Sequence, residues 1–227
     1  PLLDLKEPGD FITTEILDES ILIMKGEDLE IRAFYNVCQH RGNQLVHSAS
    51  GNAKQHKCTF HAWAYNSTGK LINVPDEETF LQGAPCKKLS LKELPCDIWG
   101  GFAWFSLNKD VEPLMEFLGI LPEHLDPYHF EKMQLVNDVT VEMPYNWKTS
   151  VDAFNETYHV VETHPELTSW LEDLDIQIDV YDKHNRYIVP FGTPSSHLED
   201  KKTISEDLRL YMEQAGIDSN NFKGDAT

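Results

Sequence analysis

Between Phe11 and Val37 the apolar residues come in short runs broken by polar turns: "FITTEIL", then "DES", "ILIM", "KGEDLE" and "IRAFYNV". Runs this short, rich in Ile, Thr, Phe and Tyr, predict antiparallel strands joined by hairpins. "NSTGKLINV" repeats the pattern with Gly69 at its turn, and "WGGFAWFSL" is expected as a closing strand buried on both faces. The texture changes after Leu107. Past "NKDVEP", the segments "LMEFLGIL" and "PEHLDPYHF" read as helical, "MQLVNDVTVEM" as a strand, and "LEDLDIQIDVYDKHNRYIVPFG" as two further strands. A last helix is expected over "ISEDLRLYMEQAG", stopped by Gly216. A linker at 108–113 then divides the chain into a mostly β domain, 1–107, and a second domain, 108–227.

Length and charge narrow what such a chain does. Its 227 residues suffice for one large or two modest domains, each with its own core. A net charge of -19 argues against a nucleic-acid partner, because a phosphate backbone needs clustered Lys and Arg. It suits solubility and docking to a basic protein. No run of about eighteen apolar residues occurs, and "PLLDLKEPGDF" is not a basic then apolar leader, so neither a membrane span nor a signal peptide is expected, and the cytoplasm is the expected compartment. Four cysteines are too few for a disulfide scaffold. Cys86 and Cys96, each after a proline, are expected to be free thiols packed as small hydrophobes.

The other two cysteines carry the chemistry. Cys38-x-His40 and Cys58-x-x-His61 are two Cys/His pairs separated by residues 41–57. Tetrahedral zinc takes two Cys and two His, but a finger places both cysteines in one knuckle and both histidines on a helix. Here each knuckle supplies one of each. That split suits a Rieske [2Fe–2S] centre, in which one iron takes two thiolates and the other two imidazoles.

A second constellation lies in "NWKTSVDAFNETYHVVETHP", which holds Asp152, Glu156, His159, Glu162 and His164. On a continuous helix Asp152, Glu156 and His159 share one stripe, whereas His164 points away. Pro165 supplies a break, since the residue before a proline is pushed out of the α region, so His164 is expected to swing back toward His159. Two converging histidines plus a carboxylate from elsewhere make the facial triad of a non-haem Fe(II) centre.

Around these residues the sequence resembles the Rieske non-haem iron oxygenase α subunits, the aromatic ring-hydroxylating dioxygenase family. "CQHRG", "CTFHAWAY" and "STGKLINVP" are similar to its Rieske domain, and "NWK", the following acid, "YH" and the second His to its mononuclear-iron segment. The resemblance runs from about Pro8 to His164, and more loosely through "YIVPFGTPSSHL" to "EQAGID". It implies an α+β chain: an all-β Rieske domain followed by an incomplete antiparallel-sheet-plus-helices catalytic domain of the helix-grip, START-like kind.

The resemblance also implies the site. Cys38, His40, Cys58 and His61 would bind the cluster, His159 and His164 the mononuclear Fe(II), and Glu156 would bridge the cluster of one subunit to the iron of its neighbour. Many members have Asp at the place of Glu156. The family's third iron ligand, an Asp, has no counterpart before Thr227, so the chain is expected to be part of a longer protein. Respiratory Rieske proteins bridge their two loops with a disulfide, but the corresponding positions here are Asn43 and Phe60, which cannot bridge. A centre lacking that brace, and lacking hydroxyl donors to its sulfurs, is expected at a lower potential.

The implied activity is that of a terminal oxygenase. Electrons from NAD(P)H arrive through a reductase or ferredoxin, and O₂ and an organic substrate, most commonly an aromatic ring, meet at the iron. The implied assembly is a head-to-tail homotrimer, with or without a small β subunit. Oxidative demethylation and monooxygenation belong to the same metal sites, and an electron carrier without oxygen chemistry is the alternative from another class.

Overall fold

The computed structural model describes residues 1–83, 85–198 and 210. The first three apolar runs are strands, β1 (Asp10–Ile16), β2 (Glu19–Lys25) and β3 (Ile31–Tyr35), paired antiparallel with Phe11 opposite Met24 and Leu22 opposite Phe34. β4 (Ser50–Asn52) joins the free edge of β1. β5 (Gln55–Lys57), β6 (Ala64–Asn66) and β7 (Leu71–Asn73) make a separate three-stranded sheet, and β8 (Glu93–Leu94) closes the first sheet in the order β4-β1-β2-β3-β8.

β2 explains why "ILIM" is an unbroken apolar run. Alternate side chains on a strand face opposite ways, and both faces of β2 are covered. Leu22 and Met24 join Phe11 and Phe34 in one core, with Trp63, Tyr65, Leu71, Cys38 and Cys58. Ile21 and Ile23 join Leu5, Ala33 and Leu94 in the other. The first core is therefore the floor beneath both cysteines. Gly69 turns β6 into β7 at a φ of +73°, and a Cβ there would lie 2.4 Å from the Phe34 ring, so the turn presses on that core with no room for a side chain.

"WGGFAWFSL" is a hairpin rather than one buried strand. β9 (Cys96–Trp99) pairs with β10 (Phe102–Phe105) across Gly100 and Gly101, both at positive φ, and Ile98, Phe102 and Trp104 are exposed. Ala103, Phe105 and Cys96 on the inner side pack against the second core. The helical segments are short, α1 (Leu114–Leu118) and α2 (Leu121–Leu125).

The chain divides into two compact units, Pro1–Val136 and Asn137–Thr227, where the linker expected at 108–113 put the division earlier. The reason is that residues 126–131 return to the β9–β10 hairpin. The Trp99 indole N–H donates to Asp126 at 3.1 Å, the Phe130 ring meets Trp99 edge-on, and Glu131 crosses so close to Gly101 that a Cβ would come within 2.7 Å of its Cα.

The alternating segment 133–143 forms no ladder among the described residues, and Met133, Leu135, Val139, Val141 and Met143 are exposed. Alternation alone makes no strand: the backbone N–H and C=O groups need a partner strand. In the second unit α3 (Trp147–Ala153) and α4 (Val160–Thr163) precede a hairpin of β11 (Gln177–Val180) and β12 (Asn185–Ile188), the two strands expected there. The helix expected over "ISEDLRLYMEQAG" lies outside the described residues, Leu210 apart. Among the described residues no helix is long and apolar enough to cross a membrane.

Candidate redox and metal sites

The two Cys/His knuckles share one backbone design. In the first, the Cys38 N–H donates to the Asn43 carbonyl at 2.8 Å and the Gly42 N–H returns to the Cys38 carbonyl at 3.0 Å. In the second, Cys58 N–H to Trp63 carbonyl and Ala62 N–H to Cys58 carbonyl repeat those bonds at 2.8 and 3.0 Å. Gly42 and Ala62, the fifth residue of each loop, both take positive φ, a conformation that costs Ala62 strain and holds the loop tight. At the base of the first loop the buried Asn36 side chain takes the Val46 N–H at 2.9 Å and gives to the Val46 carbonyl at 2.7 Å, which fixes where the loop leaves β3.

These loops bring like to like. The Cys38 and Cys58 thiols are buried and close enough for each to act on the other's titration, and all four cysteines are free. The His40 and His61 rings stand edge to face, 4.6 Å between centroids, with the Trp63 indole stacked on His40 at 4.6 Å. Burial pushes the Cys38 thiol up. At Cys58 burial is outweighed by the backbone N–H groups of Phe60 and His61, with help from the Cys38 and Asn43 side chains, and the thiol falls below its usual range. Burial, then the charges of His61 and Arg41, keep His40 in the neutral form that binds metals.

In the second unit the helix stops short of the predicted stripe. α3, capped by the Asn146 side chain on the Lys148 N–H at 3.0 Å, ends at Ala153, so Asp152 sits exposed on it, apart from the histidines. Residues 155–157 leave the helix because other elements claim them. The Asn185 amide donates to the Asn155 side chain at 2.8 Å, the Tyr187 hydroxyl to the Glu156 carbonyl at 3.2 Å, and the Thr157 hydroxyl to the Asp173 carbonyl at 2.7 Å.

His159 then starts α4 and His164 ends it. Glu156 holds His159 twice: one carboxylate oxygen meets the ring Nδ1, and the other accepts the His159 backbone N–H at 3.2 Å. The His159 bonds draw the Glu156 carboxyl below its usual range. His164, before Pro165, has left the α region at φ -129° and ψ 54°, and its ring lies 5.5 Å from that of His159. The convergence expected from Pro165 is there. It is reached through two short helices instead of one long one.

A neighbouring Ser/Asp/His group has a different character. Asp173 accepts from the Ser195 hydroxyl and meets His197 Nδ1 at 3.0 Å, while Glu172 takes the Ser196 hydroxyl at 2.7 Å. Ser195 is fully buried and spends its proton on Asp173, so it is no nucleophile but part of a carboxylate-braced turn.

Residues 2–95 match the family described as Rieske [2Fe-2S] domain, and residues 130–222 that described as ring hydroxylating alpha subunit (catalytic domain). The chain belongs to the Rieske ring-hydroxylating oxygenase α subunits. Among curated relatives it is 35% identical over 167 residues to the large oxygenase component of the naphthalene 1,2-dioxygenase system of a Ralstonia species, covering 70% of this chain and 37% of that protein. It is 30% identical over 174 residues to the glycine betaine monooxygenase oxygenase subunit of Pseudomonas aeruginosa, covering 76% and 40%. The solved quaternary ammonium Rieske monooxygenase CntA, in complex with inhibitor MMV12, superposes with a TM-score of 0.75 at 27% identity, over 86% of this chain and 54% of that one. Naphthalene 1,2-dioxygenase with indole bound gives 0.63 at 33% identity, over 73% and 38%. The chain thus spans about two fifths of the length of these curated relatives.

This Rieske oxygenase chain offers donors that fit both metal groups of its family. His40 Nδ1 is buried with no hydrogen-bond partner, so it is open to a ligand. It lies beside a second imidazole and in a loop with a paired thiol, the donor set of a cluster with two cysteine and two histidine ligands. At the other site Glu156 occupies Nδ1 of His159 and leaves Nε2 for a metal, the usual carboxylate–histidine arrangement. Among the described residues no third His, Cys, Asp or Glu joins either pair around a single point.

Tyr65 and Trp63 are the residues the sequence reading passed over. Trp63 lies just before β6 and Tyr65 within it, and both are buried in the core that holds the first knuckle. Tyr65 is wholly buried and its hydroxyl lies 3.4 Å from Cys38 Sγ. The expectation that no hydroxyl approaches the cysteine sulfurs is therefore corrected. The aromatic pair Trp63 and Tyr65, two apart just past "CTFH", was the available signal.

Proposed function

We propose that the chain is the electron-receiving and iron-binding part of a terminal oxygenase, with Cys38, His40, Cys58 and His61 as cluster ligands and His159 and His164 as iron ligands. The observation that carries this reading is the carboxylate-held His159 with a second imidazole 5.5 Å away, in a chain whose loops also pair thiol with thiol and imidazole with imidazole. When bound, the cluster supplies one-electron storage and the iron supplies O₂ activation.

The chain's own residues do the placing. Trp63 and the buried core fix the ring of His40, and the exposed rim of the second knuckle, Phe60 and His61, faces outward to a protein partner. Glu156 fixes the tautomer of His159 and raises its basicity as a ligand. Its side chain is still 39% exposed, so it is free to meet a cluster histidine of a neighbouring subunit. A head-to-tail ring of three subunits goes with that role, since a heterologous contact must close on itself. A ferredoxin or reductase drawing on NAD(P)H, and a cytoplasmic setting where Cys86 and Cys96 stay reduced, complete the reading.

The relatives' names span an aromatic ring, naphthalene, and a quaternary ammonium compound, glycine betaine, so the assay takes both classes. Full-length protein, reduced without O₂ and freed of reductant, is given O₂ with naphthalene or with an N-methyl ammonium compound. An oxygenase yields hydroxylated ring product or released formaldehyde in a single turnover. Reoxidation with no product from either class would leave an electron carrier.

A further inference from the structure

We propose that Asp173 is the positioning residue for the two iron histidines, clasping the segment that enters His159 to the segment that leaves His164. This rests on His159 and His164 being iron ligands, as proposed above. The helix between them does not hold them by itself. α4 is a single turn, Val160–Thr163, and a helix that short has no stability of its own in water. Where the residues at its two ends stand is therefore set by what grips the chain on either side.

Asp173 reaches both sides. Toward His159, its backbone carbonyl accepts the hydroxyl of the buried Thr157 at 2.7 Å, and the Thr157 carbonyl accepts the Val160 N–H at 2.9 Å, at the start of α4. Toward His164, its carboxylate accepts the Ser195 hydroxyl, the Ser195 N–H donates to the Thr168 carbonyl at 2.8 Å, and the Thr168 hydroxyl donates to the Pro165 carbonyl at 2.7 Å, one residue past the histidine. The second carboxylate oxygen meets His197 Nδ1 at 3.0 Å, while the His197 N–H donates to the Ser195 oxygen at 3.0 Å, so the three side chains fix one another. A carboxylate has no proton to give, so both side-chain bonds run toward it, and its charge strengthens them. The Asp173 side chain is 2% exposed, a place where a carboxylate is unfavourable unless partnered in this way.

The test is Fe(II) binding, without O₂, to full-length, cluster-loaded protein freed of its mononuclear iron. Nitric oxide is then added, because the EPR line shape of its adduct with Fe(II) reports the arrangement of the ligands. Asp173→Asn keeps the shape and loses the charge, and is expected to raise the Kd for Fe(II) about 10- to 100-fold and to broaden the adduct signal, with the Rieske signal unchanged. Thr157→Val keeps the size and removes the hydroxyl, for a rise of about tenfold, and Thr157→Ser restores the donor and with it the wild-type Kd. The Thr157 pair decides the matter even if Asp173→Asn does not fold. A residue that merely stabilises the fold would lower Tm and leave Kd and line shape alone. That result in Asp173→Asn or in Thr157→Val would overturn the clasp while leaving the ligand assignment standing. Wild-type protein that takes up no Fe(II) beyond the cluster, or His159→Ala that takes it up as wild type does, would overturn the ligand assignment itself, and the clasp with it.

Discussion

Glu156 reaches His159 at two atoms, ring and backbone, and still leaves part of its carboxylate to the outside. On the proposed reading, a residue in that position orients a ligand without being one. Glu156→Gln keeps the shape and one acceptor but loses the charge, so the variant is expected to retain both irons and an unchanged Rieske spectrum while turnover falls roughly 10- to 100-fold. His159→Ala is expected instead to lose the mononuclear iron. Turnover and metal content of the two variants, measured side by side, check this; full turnover in Glu156→Gln would make Glu156 a surface acid. At this scale the ligands proposed here rest on Cys/His spacing, which is a local signal in the sequence. Tyr65 was not, since it meets Cys38 from 27 residues away, through the pairing of a sheet that the linear order does not display.

The turn braced by Glu172 behaves as an element, and its charge makes it answer to pH. Burial works against the Glu172 carboxylate, but the Ser196 hydroxyl and the backbone N–H groups of Leu174 and Ser196 outweigh it and hold its pKa below the usual range. A carboxyl depressed in the folded state contributes stability at every pH above its unfolded value, about 4.3, and loses it as pH falls through the lower folded value. Hydrogen exchange at the Leu174 and Ser196 amides is therefore expected to show full protection at neutral pH and progressive loss below about pH 4. Glu172→Gln should lower protection about tenfold at neutral pH, roughly 1.4 kcal/mol, and flatten the acid response. Equal protection in the variant would remove the brace. Strands were the elements read best: the runs of β1 to β3 are short, β-rich and bounded by turns. The break after Ala153 was not readable, because Tyr187, Asn185 and Asp173 draw residues 155–157 out of the helix from distant points of the chain. "MQLVNDVTVEM" had the strand pattern and no partner among the described residues.

On the scale of the whole molecule, two units each carry one kind of donor set, and neither set alone makes an oxygenase. The Cys/His loops without the second unit are an electron carrier, and His159 and His164 without the loops have no source of electrons. Both sets on one chain are what the reading turns on. Mössbauer spectroscopy of the reduced, iron-57-labelled full-length protein tests this most directly. The account predicts about three irons per chain in three distinct environments: a ferric site with thiolate ligands, a ferrous site with imidazole ligands, and a separate high-spin ferrous ion that vanishes in His159→Ala. A spectrum with the two cluster sites alone, or with one in which all ligands are thiolates, would contradict it.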